Sequence, residues 1–166
     1  MLGTLPRMNF AFTEEQEQLR EFVRSFMTEK SSEAAVREQM ETDKGYDDAV
    51  WSQMGEQMGL QGLAIPEEFG GLGMNEVDFV LLAQECGYVA LPEPLVQNVL
   101  VAVPLINALS DELKAQWLPK IAEGSAKVAV GLTENFLVED AHVADLLLLQ
   151  NGDEIHAVDP ANVSLT

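Results

Sequence analysis

Apolar and polar positions follow a helical period from Thr13 onward. Thr13 and Gln16 have the spacing of a capping box. Leu19, Phe22, Val23 and Phe26 then share one face, opposite Glu17, Arg20, Glu21 and Arg24, which predicts an amphipathic helix to about Lys30. Ser31 to Gly45 is polar and shows no clear period. Asp47 or Asp48 caps the next helix, whose stripe is Trp51, Met54 and Met58 and whose stop is Gly59. Pro66 and Gly70, Gly71 and Gly73 mark a structural turn, because their spacing matches no phosphate-binding loop. Asn75 caps a third helix with Phe79, Leu82, Ala83 and Cys86 on one face. Pro92 and Pro94 break it and open a fourth, Leu95 to Leu109, apolar on nearly every side and kinked by Pro104. Ser110 caps a fifth, with Leu113, Trp117 and Ile121 inward, Pro119 awkward within it and Gly124 closing it.

Beyond Gly124 the period changes. Val128, Val130 and Leu132 alternate with smaller residues, Val143 to Leu149 is an apolar run, and Asn151-Gly152 is a hairpin signal leading to Ile155, Ala157 and Val158. Val163 to Thr166 reads as the start of another strand. The pattern predicts an α+β chain: an N-terminal all-α helical bundle over residues 1–125, then an incomplete antiparallel β-domain over residues 126–166. So few strands with open edges need covering by further sequence or by another chain.

Charge narrows the partners. With 28 acidic and 9 basic residues the net charge is -19, which disfavours nucleic acid and anionic membrane surfaces. A nucleotide-bearing ligand then needs local basic groups, from another segment or another chain. Hydrophobic residues make up 47%, enough for a packed core. Cys86 is the single cysteine, expected as a buried, inert thiol, and fits a reducing, cytoplasmic setting. His142 and His156 stand apart, so no metal site is expected. The opening ten residues lack the apolar run of a signal peptide or membrane span.

Four stretches together resemble the acyl-CoA dehydrogenase family: FAFTEEQEQLREFVRSFM (10–27), GLAIPEEFGGLGMNEVDFVLLAQECG (62–87), LSDELKAQWLPKIAEGSAKVAVGLTE (109–134) and AHVADLLLLQNGDEIHAVDP (141–160). The resemblance implies an N-terminal helical domain, a middle β-barrel and a C-terminal bundle, with FAD between the last two. It implies an oxidoreductase of fatty-acid and lipid metabolism that converts an acyl-CoA substrate to the 2-enoyl-CoA. A base removes the α-proton and the flavin takes the β-hydride. It also implies homo- or hetero-oligomers of acyl-CoA dehydrogenase subunits.

By the same resemblance Leu132, Thr133 and Glu134 match the strand end beside the flavin. Phe136, Leu137 and Val138 resemble a later aromatic-Ile-Thr segment, so Leu132, Thr133, Glu134, Phe136 and Val138 are the candidate cofactor contacts. Three departures follow. A Gly-Ser-Asp loop usual after Thr-Glu is lacking. Val138 replaces a threonine and has no hydroxyl to donate. The C-terminal bundle and its catalytic glutamate lie outside the sequence, so no catalytic residue is assigned; Glu67, Glu68, Glu134 and Glu139 are expected to be solvated or structural. The expected function is therefore the N-terminal part of an FAD-dependent acyl-CoA dehydrogenase, inactive alone. The alternatives are a non-catalytic partner subunit or a helical interaction module.

Overall fold

Helix α1, Glu14–Lys30, starts where Thr13 and Gln16 satisfy each other's backbone N–H groups, at 3.2 and 2.9 Å. Val23 and Met27 are fully buried on it, with Leu19 and Phe26 beside them. Phe22, expected on that face, is 57% exposed. It precedes Val23 by one residue, so the helical turn carries it off the stripe that Met27 completes.

Helix α2, Glu33–Met40, lies in the stretch without a period. It buries no residue; the Ser32 cap and the Glu33–Arg37 ion pair support it instead. Helix α3, Asp48–Glu56, is capped by Asp47 and buries Trp51 and Met54. Gly59, in the left-handed conformation, turns the chain after it.

The glycine-rich stretch is structural, as expected. Leu72 and Met74 donate N–H bonds to the carbonyls of Gly62 and Leu63, both at 2.9 Å, which folds the turn back onto residues 60–65. Gly71 is required there, since a Cβ at that position would stand 2.0 Å from the Ile65 carbonyl oxygen.

Helix α4, Glu76–Val89, has a full capping box from Asn75 and Asp78. It runs beside α1, where Gln16 Nε2 donates to Asp78 at 2.7 Å and Arg24 grips Glu85 with two bonds of 2.6 and 2.7 Å. The expected fourth helix is a π-helical turn, Gln97–Ala102, running into helix α5, Val103–Asn107. The wide turn ends where Pro104 cannot donate, so the lost bond falls at a change of helical pitch. The segment is not buried all round, because Pro104 and Ala108 are exposed.

Helix α6, Asp111–Ala122, buries Leu118 and Ile121, while the expected inward residues Leu113 and Trp117 are only half-buried. Lys120 lies over the Trp117 ring, 4.8 Å from its centre.

Three strands follow in the order β1 (Val128–Gly131), β2 (Leu146–Asn151), β3 (Glu154–Val158). The hairpin at Asn151-Gly152 is antiparallel as expected, but β1 and β2 pair in parallel, with Val128 opposite Leu146. The sheet is therefore mixed. The connection between β1 and β2 crosses over instead of turning tightly, which brings both strands in the same direction. The apolar run expected from Val143 becomes strand only at Leu146, after a short turn Ala141–Val143. Val163 is not in a strand.

This computed structural model describes residues 11–132 and 137–164. One core joins α1, α3, α4 and the start of the π-turn around Met27, Met54, Phe79 and Val99. A second joins α5 and α6 to the strands through Ile106, Leu118, Ile121, Val128, Leu146 and Leu148. The other face of the sheet carries a small cluster of Ala129, Ala141 and Leu147, with Val138 packed on it. Among the described residues no helix is long and apolar enough to cross a membrane.

The two glycines of opposite setting give a direct test. Gly71→Ala should destabilise by more than about 2 kcal/mol, because backbone must move. Gly87→Ala, within α4 with nothing within 4 Å of the new Cβ, should stabilise by about 0.5–1 kcal/mol. Urea melts of the two variants against the parent check both signs.

Candidate functional site

Helix α4 ends at Ala90 in the left-handed conformation (φ 51°), and the Leu91 N–H returns to the Cys86 carbonyl at 2.9 Å. Leu91 and Pro92 then interrupt the helix, and the chain bends at Glu93 and regains helical backbone at Leu95 and Val96, directly before the π-turn. Between this linker and the chain at Glu139 and Asp140 lies a cleft of about 520 Å³. A second cleft of about 420 Å³ continues past Gln97 along β1, reaching Val130 and Leu137. Asp140 also has positive φ (57°), so the two non-glycine residues with that backbone among the described residues both border the first cleft. Strain of this kind persists only where the surroundings hold it.

The cleft is acidic. Glu93, 5% exposed, accepts the Asp47 N–H at 3.3 Å through Oε1, and its Oε2 is buried with no partner among the described residues. Burial raises its pKa above the ordinary carboxyl value. Burial, then the neighbouring Glu139, raises Asp140 as well. Neither cleft is lined by a basic residue among those described. Glu85 is the opposite case: the hydrogen bonds from Arg24 hold its carboxyl below the ordinary value, and it serves the α1–α4 contact. Cys86 is buried and its thiol is pushed up to about 12, chiefly by desolvation.

Of the residues expected at a cofactor, Leu132 follows directly on β1 and is 42% exposed. Val138 is half-buried against the cluster on the outer sheet face, in touch with Gly131: a Cβ there would lie 2.8 Å from Val138 Cγ2. Thr133, Glu134 and Phe136 lie outside the described residues. Glu67 and Glu68 are exposed, and Glu139 accepts a bond from Gln97 Nε2 at 2.8 Å. Sequence reasoning missed Glu93, Gln97 and Asn98. The available signal was polarity out of place: an acid between two prolines, and two amides inside the most apolar stretch of the chain. Among the described residues no group of three or more His, Cys, Asp or Glu could hold a metal ion.

The description of one family model, the acyl-CoA dehydrogenase N-terminal domain, matches residues 13–125. Acyl-CoA dehydrogenase IpdE2 of Mycobacterium tuberculosis is 35% identical over 142 residues, covering 86% of this chain and 44% of that protein. Probable acyl-CoA dehydrogenase YngJ of Bacillus subtilis is 33% identical over 151 residues, covering 89% of this chain and 39% of that protein. The chain thus spans less than half the length of these relatives. The ChsE4-ChsE5 complex from Mycobacterium tuberculosis shares the fold, with a TM-score of 0.77 over 92% of this chain and 49% of that one, at 20% identity.

Two outcomes are expected of the buried groups. Cys86 should resist alkylation in the native protein and react once urea unfolds it, read by mass spectrometry. A raised folded-state pKa means Glu93 contributes most below its unfolded value, and that contribution is lost as pH rises through the folded one. Glu93→Gln should therefore melt higher, relative to the parent, at pH 8 than at pH 5.

Proposed function

The chain belongs to the acyl-CoA dehydrogenase family, and from that premise we propose that it is the N-terminal portion of an FAD-dependent acyl-CoA dehydrogenase. Residues 1–125 are the helical domain and 126–166 the start of the β-domain in this reading. The observation that supports it is the course of β1: the strand leaves the helical core with Val128, Ala129 and Val130 along the cleft shared with Gln97 and Leu137, and Leu132 follows directly on it, 42% exposed.

The residues present fit one part of FAD and not another. Val128, Val130 and Leu137 offer apolar surface suited to a flat ring system, with Leu132, Thr133, Glu134, Phe136 and Val138 as the further candidate contacts. The acidic rim and the lack of basic lining residues do not suit phosphates, which would need cations from outside the described residues. When bound, FAD supplies the acceptor for the acyl β-hydride. This chain's contribution is to wall the cleft on the helical side and exclude water. No described acid is placed as the α-proton base; Glu93 is sequestered beneath Asp47 and Glu85 is held by Arg24. The base, the remaining cofactor contacts and subunit pairing are assigned to residues beyond these 166, and the setting to the cytoplasm.

A second reading, a non-catalytic partner subunit in a heteromeric enzyme, is favoured by Val138. Its side chain has no hydroxyl and packs with Ala129 and Leu147.

Visible absorption of the purified chain separates the readings. The leading one expects no turnover from the chain alone, and flavin that reduces on adding acyl-CoA once the chain is joined to its C-terminal continuation. Flavin retained only with a separate acyl-CoA dehydrogenase subunit supports the partner role. A preparation colourless under every pairing sinks both and leaves a helical interaction module.

A further inference from the structure

Two neighbouring side chains of the π-turn reach the two chain segments that border the second cleft. Asn98 is 1% exposed; its Oδ1 accepts the Val128 N–H at 2.9 Å, and its Nδ2 donates to the Pro94 carbonyl at 2.9 Å. That fixes the first residue of β1, whose chain runs on to Leu132. Gln97 donates from Nε2 to Glu139 Oε2 at 2.8 Å, and Glu139 adjoins Val138. The two segments also touch directly, Gly131 against Val138. Both amides stand in a turn of π pitch, a local geometry found often at functional positions.

We propose that Gln97 and Asn98 form a two-point clamp, positioning residues that hold Val130 of β1 and Leu137 of the return segment in register along the cleft assigned to the flavin. The inference rests on the flavin reading above. Asn98 sets where β1 begins relative to the helical core. Gln97 sets the return segment against the same turn. Because the residues are adjacent, their spacing is fixed by one stretch of helix, and any shift of that turn moves both walls of the cleft together.

Gln97 supplies the cleaner test, because its bond is exposed and its loss does not orphan a buried group. Gln97→Glu places like charges together; Gln97→Glu with Glu139→Gln rebuilds the bond with donor and acceptor exchanged. The chain joined to its C-terminal continuation is titrated with FAD, and hydrogen exchange is followed at residues 128–131 and 137–140. Gln97→Glu should speed exchange at 137–140, weaken FAD binding on the order of fivefold and alter the bound-flavin spectrum, with the double variant restoring all three. Asn98→Ala should speed exchange at 128–131; a loss of folding in that variant leaves the Gln97 series to decide. Unchanged exchange in Gln97→Glu overturns the clamp. Faster exchange with unchanged FAD affinity overturns the positioning role. No FAD bound by the unsubstituted protein overturns the flavin reading, and with it the role toward flavin. The exchange data then show separately whether the clamp fails too.

Discussion

The packing of β1 and β2 against α5 and α6 is the contact on which the rest depends. Val128, Leu146 and Leu148 are each nearly inaccessible to solvent, and so are Ile106, Leu118 and Ile121 opposite them. Each such side chain contributes roughly 1.5–3 kcal/mol on burial, against which the entropy of ordering a short sheet is set. A three-stranded sheet with two open edges is marginal by itself. Here one face is stabilised by helices, so strands and helices fold as one core that crosses residue 125. The orientation of β1 is consequently inherited from α5 and α6.

Polar bonds then set the register that apolar packing leaves loose. The indole N–H of Trp51 donates to the Gly124 carbonyl at 2.8 Å, and Gln61 donates to the Trp51 carbonyl at 2.8 Å. The Lys127 ammonium lies 5.4 Å from the centre of the Trp51 ring and 5.6 Å from that of Tyr46. With Asn98 on Val128, these contacts bracket the passage from α6 into β1. Hydrophobic contact tolerates small slides, whereas a buried amide bonded at both ends does not, because sliding would leave Val128 or Asn98 without its partner.

Much of this was legible in the sequence, for definable reasons. Helix starts at Thr13, Asn75 and Ser110 were readable because a cap is a local device and needs only neighbouring residues. The hairpin at Asn151-Gly152 was readable for the same reason. Helix α2 was not, because it buries nothing and so leaves no apolar period. The parallel pairing of β1 with β2 was not, because alternation gives a strand its faces but not its partner. The candidate site divides likewise. Leu132 is a candidate through resemblance alone, while Glu93, Gln97 and Asn98 were not legible because they act through partners far along the chain, at Asp47, Glu139 and Val128.

The electrostatics bear on assembly. Most basic side chains with a resolved partner are engaged in ion pairs within or near their own helices, as Arg20 with Glu17, Arg37 with Glu33 and Lys114 with Asp111. Exposed pairs of this kind are worth little individually and are screened by salt. They nevertheless leave the cleft with Glu93, Glu139 and Asp140 and no facing cation among its lining residues. A flavin ring tolerates such a wall, but a pyrophosphate does not, since like charges in a partly desolvated cleft repel more strongly than in water. Glu139 and Asp140 line both the cleft beside β1 and the cleft beside α4, so the two share one acidic border. Whatever completes the site therefore needs to bring positive charge to that border from another segment or chain, while Val128, Val130 and Leu137 leave apolar surface beside β1 for a flat group to cover.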